Sequence, residues 1–205
     1  VVEKAVTTGA EVVVATDDKR IQDVVQAYGH HCIMTREDHV SGTDRIAEVA
    51  DSMGWSGDEL IVNVQGDEPL IEATLIHEVA KKLALHQDAA IATACHPIHD
   101  RASMLNPNIV KVVMDQQGYA LYFSRAPIPW SRDHFSGLDA QPDDLPEQAN
   151  FQRHIGIYAY RANFLHQFVQ WPSAPIELTE SLEQLRAMWN GVRIKVAEAV
   201  EPPPA

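Results

Sequence analysis

The sequence predicts one α/β domain spanning residues 1–205, with a mainly parallel sheet flanked by helices and an antiparallel insertion over 106–160. Three observations predict it. Helical and strand patterns alternate through the first half of the chain. The strands there are near-continuous apolar runs, as expected of strands covered on both faces. Further along, two apolar runs are separated only by a short polar turn, which reads as a hairpin.

Taken in order, VVEKAVTTG reads as the last turns of a helix stopped by Gly9. Strand EVVVAT (11–16), helix KRIQDVVQAYG (19–29), strand CIM (32–34) and helix TDRIAEVADSMG (43–54) follow. Strand ELIVNV (59–64), a helix near 73–86 and strand AAIATAC (89–95) complete the alternating half. IVKVVMD and GYALYFS, joined through QQG, form the expected hairpin, and the polar, acidic residues 136–150 read as an exposed loop. Strand HIGIYAY, helix RANFLHQFVQW, one helix over ELTESLEQLRAMWNG and strand RIKVAEA close the pattern.

Composition removes several functions. Sixteen Lys and Arg against 29 Asp and Glu give a formal charge of −13, which opposes general binding to nucleic acid or an acidic membrane. No apolar stretch approaches the roughly 20 residues that span a bilayer, and no signal peptide is read. Cys32 and Cys95 lack metal-ligand spacing, so a reduced, cytoplasmic protein is expected. The chain begins inside a helical pattern and contains neither GxGxxG nor GxxxxGKS/T, so the expected phosphate loop is read as missing.

Ligands of open α/β sheets gather outside the carboxyl ends of strands. Three polar groups fall there: Thr16, Asp17 and Asp18; the SGTDR stretch; and QGDEP after the third strand. Asp67 is the sharpest candidate, because Mg²⁺ commonly takes one or two carboxylates with phosphates and water completing its shell. The other reading is that Asp67 or Glu68 caps the next helix. Gln65 is either a ligand amide or a strand-end hydrogen bonder. Ser41 and Thr43 are helix caps or, with the Gly42 amide, part of a base or ribose pocket, and Arg45 carries a charge suited to phosphate.

Arg125 sits between a strand and a proline-stiffened turn, where it can grip a carboxylate or make a structural ion pair. His154, Gly156, Tyr158 and Tyr160 share one strand face, either a pocket wall or a packed aromatic face. In the predicted last helix, Leu178, Leu182, Leu185 and Trp189 make the apolar stripe. Glu177, Glu180 and Gln184 recur on another face, solvated unless a pocket faces it.

Taken together, VATDD, TREDHVSGTDRIAEV, VNVQGDEPLI, NPNIVKVV, ALYFSRAPIPW, HIGIYAYR and ESLEQLRAMWNG resemble the 3-deoxy-manno-octulosonate cytidylyltransferases, also called CMP-KDO synthetases, over nearly the whole chain. The resemblance implies a nucleotide-diphospho-sugar transferase fold, usually homodimeric. It implies CMP transfer from CTP to KDO with release of pyrophosphate, for lipopolysaccharide synthesis. It places Asp67 and Gln65 at the catalytic centre, Asp67 as the Mg²⁺ ligand, and Ser41, Gly42, Thr43 and Arg45 beside the cytidine. Arg125, His154, Tyr158, Glu180 and Gln184 match the sugar-acid pocket, with Arg125 suited to the KDO carboxylate.

Two departures bear on activity. The family's N-terminal strand with its basic phosphate loop, and its C-terminal segment with a second metal-binding acid, have no counterpart here, so these 205 residues alone are expected not to make CMP-KDO. The alternatives are a cytidylyltransferase for another acidic sugar, a related hexose-phosphate enzyme, and a non-catalytic nucleotide-binding or dimerisation module.

Overall fold

The computed structural model describes residues 1–68, 70–135, 145–146 and 149–199, the side chain of Asp133 excepted. Most of the polar run 136–150 therefore lies outside the described residues, as does Pro69. Helix α1 (Val2–Val6), β1 (Val13–Thr16), α2 (Lys19–Ala27), β2 (His31–Met34), α3 (Gly42–Met53), β3 (Leu60–Asn63), α4 (Ala73–Leu85) and β4 (Ile91–Pro97) reproduce the expected alternation. After them come α5 (Arg101–Leu105), β5 (Lys111–Met114), β6 (Ala120–Ser124), α6 (Arg132–Phe135) and β7 (Gln152–Arg161). The last elements are α7 (Ala162–Phe168), α8 (Pro175–Glu180), α9 (Gln184–Trp189) and β8 (Ile194–Glu198). Short α5 and α6 were not foreseen, since four or five residues carry too little periodicity to register.

The helix ends follow local chemistry. Asp18 caps α2 by accepting from the Arg20 amide, and Ser41 caps α3 by accepting from the Asp44 amide. Gly54 (φ 71°) closes α3 in the left-handed conformation, its N–H donating to Ala50 and Asp51. The β5–β6 turn is built on Asp115, whose Oδ1 accepts from the amides of Gln117 (2.8 Å) and Tyr119 (2.9 Å), with Gly118 at φ 76°.

The main sheet is mixed, in the order β6-β5-β7-β4-β8, with β3 also pairing β7. Strand β7 is the reason. It runs antiparallel to β3, β4 and β5, while β4 and β8 are parallel. Its carboxyl half pairs β3 and its amino half pairs β5 along one edge, and β4 takes the other edge throughout. Among the described residues, β1 and β2 form a separate parallel pair.

Both faces of the main sheet are covered, as the apolar strands require. Ile91 and Cys95 of β4 join Tyr158, Tyr160, Phe164, Leu165 and Leu185 on one face. Ala92 and Ala94, with Ile155, Ile157 and Ala159, pack on the other against Val79 and Leu83 of α4. Burial pushes the Cys95 thiol up to about 12, so this cysteine is a packing residue. Buried Arg161, at the end of β7, donates to Leu83 O (3.0 Å) in the last turn of α4 and to Ala89 O (3.1 Å) just before β4.

One expectation is corrected. The segment 177–191 is two helices, broken at Ser181, which is left-handed at φ 52°. The predicted stripe divides with it: Leu182 and Leu185 are buried, whereas Leu178 (68%) and Trp189 (59%) are exposed. The predicted polar face is equally divided, because Glu177 (7%) and Gln184 (6%) are buried. Across the break, Arg186 Nη2 donates to Glu177 Oε1 (2.6 Å) and Nε to Oε2 (2.9 Å), and the guanidinium stacks over Phe168 at 4.4 Å.

Removing one member of this pair leaves a buried charge uncompensated. Arg186→Ala is expected to cost about 3–5 kcal/mol, read as a lowered urea midpoint. The double variant Glu177→Gln/Arg186→Met should recover a substantial part of that loss.

Candidate active site

Three parts of the fold meet around the first face of β7. The segment after β3 supplies Gln65, Gly66 and Asp67, all exposed beyond the carboxyl end of the strand. The Gln65 carboxamide lies over Gly156: a Cβ built there would stand 3.7 Å from Gln65 Nε2. Glycine thus leaves room for the amide above the strand. Asp67, two residues on, presents an exposed carboxylate. Among the described residues no three His, Cys, Asp or Glu side chains group as a metal site. One exposed carboxylate is nonetheless a donor set that suits Mg²⁺ when a nucleotide's phosphates and water complete the shell.

The face of β7 is a packed aromatic ladder with a polar end. Tyr158 and Tyr160 stack with centroids 5.7 Å apart, and Tyr160 stacks on Phe164 at 6.0 Å. Both tyrosines are buried, and burial raises their hydroxyl pKa values well above the ordinary one. His154 is half-buried at the other end, 5.2 Å from the Tyr158 ring and 5.1 Å from Phe123. Burial pushes its imidazole down to about 3, so it is neutral at physiological pH. The face is a packed aromatic core at Tyr158 and Tyr160, with the partly exposed His154 at its end.

The third part is the amino end of α3. Ser41 caps it, and the Thr43 amide donates to Glu183 Oε2 (3.3 Å), with the other Glu183 oxygen close to Gly42. The buried Thr43 hydroxyl lies 3.3 Å from Tyr160 Oη. Glu183 is the residue that sequence reasoning missed. In an unbroken helix it falls between the two faces; the turn at Ser181 swings it onto the positive end of α3. Buried Gln184 follows it.

Three predicted ligands are committed elsewhere. Arg45 donates to Asp17 Oδ2 (2.5 Å) and to Thr35, joining the ends of β1 and β2 instead of standing free for phosphate. The Arg45 hydrogen bond in turn holds the Asp17 carboxyl below its ordinary value. Among the described residues Arg125 grips no carboxylate. Its Nε donates to Glu180 O (2.7 Å) and Nη2 to Ser181 O (3.3 Å) at the end of α8, while Nη1 donates to Pro107 O (3.1 Å) before β5. Glu180 accepts from Ser124 Oγ (2.6 Å) and the Arg125 amide (2.9 Å), which ties α8 to the hairpin. Buried Lys111 completes that joint by donating to Asn106 O, Ile109 O and Arg125 O at 2.6–2.9 Å.

A carboxylate at a helix amino end, a neutral imidazole, an exposed carboxamide and an exposed acid suit a polyhydroxylated ligand. A model of the cytidylyltransferase family matches residues 1–194. The 3-deoxy-manno-octulosonate cytidylyltransferase of Pseudomonas fluorescens (strain SBW25) is 57% identical over 204 residues, covering 99% of this chain and 79% of that protein. The enzyme of the same name from Hahella chejuensis (strain KCTC 2396) is 57% identical over 192 residues, covering 94% and 74%. Among solved structures, CMP:2-keto-3-deoxy-manno-octonic acid synthetase complexed with CTP matches with a TM-score of 0.87 at 40% identity. That match covers 100% of this chain and 79% of the other. With the order of its motifs and the arrangement of its sheet, the chain belongs to the 3-deoxy-manno-octulosonate cytidylyltransferase family.

Proposed function

We propose that this cytidylyltransferase transfers CMP from CTP to KDO and releases pyrophosphate, as a Mg²⁺-dependent, cytoplasmic homodimer serving lipopolysaccharide synthesis. The convergence of Gln65, His154 and the Glu183-bound end of α3 carries the reading. No helix among the described residues is long and apolar enough to cross a membrane. Exposed Leu121 on edge strand β6 and exposed Trp130 offer apolar surface to a second copy.

In the reaction, the anomeric hydroxyl of KDO attacks the α-phosphorus of CTP in line, and pyrophosphate leaves. The protein's part is positioning and electrostatics, with no covalent intermediate. Glu183 and neutral His154 offer acceptors to sugar hydroxyls, and Gln65 orients the reactants with its amide. Asp67 would hold a Mg²⁺ ion, whose positive charge would offset the negative charge of the phosphates. Arg125, Glu180 and Lys111 hold the hairpin and α8 in place and so shape the pocket from behind.

Protein expressed from the whole source reading frame should release pyrophosphate with CTP, KDO and Mg²⁺. Equal turnover with sialic acid would replace KDO as the substrate. Asp67→Asn should lower kcat at least about a hundredfold and weaken its response to Mg²⁺ titration; an unchanged Mg²⁺ profile would remove Asp67 as the ligand. The two neighbouring glutamates should separate. Glu183→Gln should raise KM for KDO about tenfold with little loss of stability, whereas Glu180→Gln should lower the melting temperature with a smaller change in KM.

A further inference from the structure

Thr93, in the middle of β4, is fully buried, yet its hydroxyl meets three polar atoms. Oγ1 lies 2.7 Å from Ile157 O, 3.3 Å from Ile155 O and 2.8 Å from His154 Nε2. The pairing of β4 with β7 explains the crowding. Thr93 faces Tyr158 while the next residue, Ala94, faces Ile155, so residues 156–157 of β7 bulge out of the ladder. The hydroxyl fills that bulge and serves carbonyls on both sides of Gly156.

A hydroxyl has one hydrogen to give. A carbonyl oxygen only accepts, and two oxygens 2.7 Å apart with no hydrogen between them would repel. The Thr93 hydrogen therefore goes to Ile157 O, and Oγ1 must receive a hydrogen from His154 Nε2. Burial keeps the ring neutral, so its single N–H is on Nε2 and Nδ1 carries a bare lone pair. Among the described residues Nδ1 has no hydrogen-bond partner, and His154 is partly exposed.

We propose that Thr93 is a positioning residue: it holds His154 in the Nε2–H tautomer and thereby presents Nδ1 as an acceptor that takes a hydroxyl of the sugar acid and refuses its carboxylate. Only the identity of the hydroxyl rests on the function proposed above. The tautomer rests on the Thr93 geometry alone.

Nitrogen-15 spectra of histidine-labelled protein from the whole reading frame test this without substrate. The His154 signals, assigned by their loss in His154→Gln, should show a protonated Nε2 and an unprotonated Nδ1. Thr93→Val removes the acceptor at nearly constant volume and should shift the ring toward the Nδ1–H form. The same variant should raise KM for KDO about tenfold with KM for CTP unchanged, whereas Thr93→Ser should restore both readouts. An Nδ1–H or doubly protonated ring in the wild type would overturn the proposal even if Thr93→Val fails to fold. So would a folded Thr93→Val with unchanged tautomer and KM. Wild-type protein with the Nε2–H ring but no KDO turnover would leave the tautomer standing and remove the substrate assignment instead.

Discussion

The buried ion pair between Glu177 and Arg186 is the constraint on which the candidate site depends. In a continuous helix, residues nine apart lie on opposite faces and about 13 Å apart along the axis, so the two could not meet. They meet because the chain breaks at Ser181. The left-handed serine costs about 1–2 kcal/mol, and a buried ion pair is weak evidence of net stability. What the pair fixes is direction. With Arg186 held against Glu177 and Phe168, Glu183 turns toward α3 while Glu180 turns toward β6.

Strand β7 is the second half of the same arrangement. Because β3 and β5 share one of its edges, the segment leaving β3 is brought beside the bulge at Gly156. A regular ladder would leave Thr93 opposite a paired residue with no carbonyl free to take its hydroxyl. The bulge supplies those carbonyls, and in doing so sets His154 and Tyr158 on one face within 5.2 Å of each other. Local irregularity in a strand and in a helix thus aims the polar groups, while the regular elements around them carry the core.

Much of this was legible in the sequence, for a physical reason. Alternating apolar periodicities name helices and strands without knowledge of partners, so the order of elements and the hairpin around Gly118 could be read directly. The break at Ser181 could not, because its cause is a pairing between residues 177 and 186 that a continuous helix forbids. The break also separates Glu180 from Glu183: three residues apart, they belong to neighbouring positions on one helix and to opposite sides of a broken one. The partners of Arg45 and Arg125 could not be read, because a sequence does not show which acceptors fold onto them. Thr93 was hidden inside AAIATAC as one more strand residue.

The commitments of the arginines also bear on how an acidic protein handles an anionic reaction. With a formal charge of −13, the chain has few cations to spare, and Arg45, Arg125, Arg161 and Arg186 are each engaged by internal carboxylates or carbonyls. Around the face of β7 stand the Glu183 carboxylate, the neutral ring of His154 and the Gln65 carboxamide. Under the proposed function, acceptors there would favour the hydroxyl-bearing flank of a sugar acid over its carboxylate. Phosphate charge then has to be offset by something other than these arginines. Under the proposed function, an exposed acid at Asp67 would take that role only by recruiting a cation.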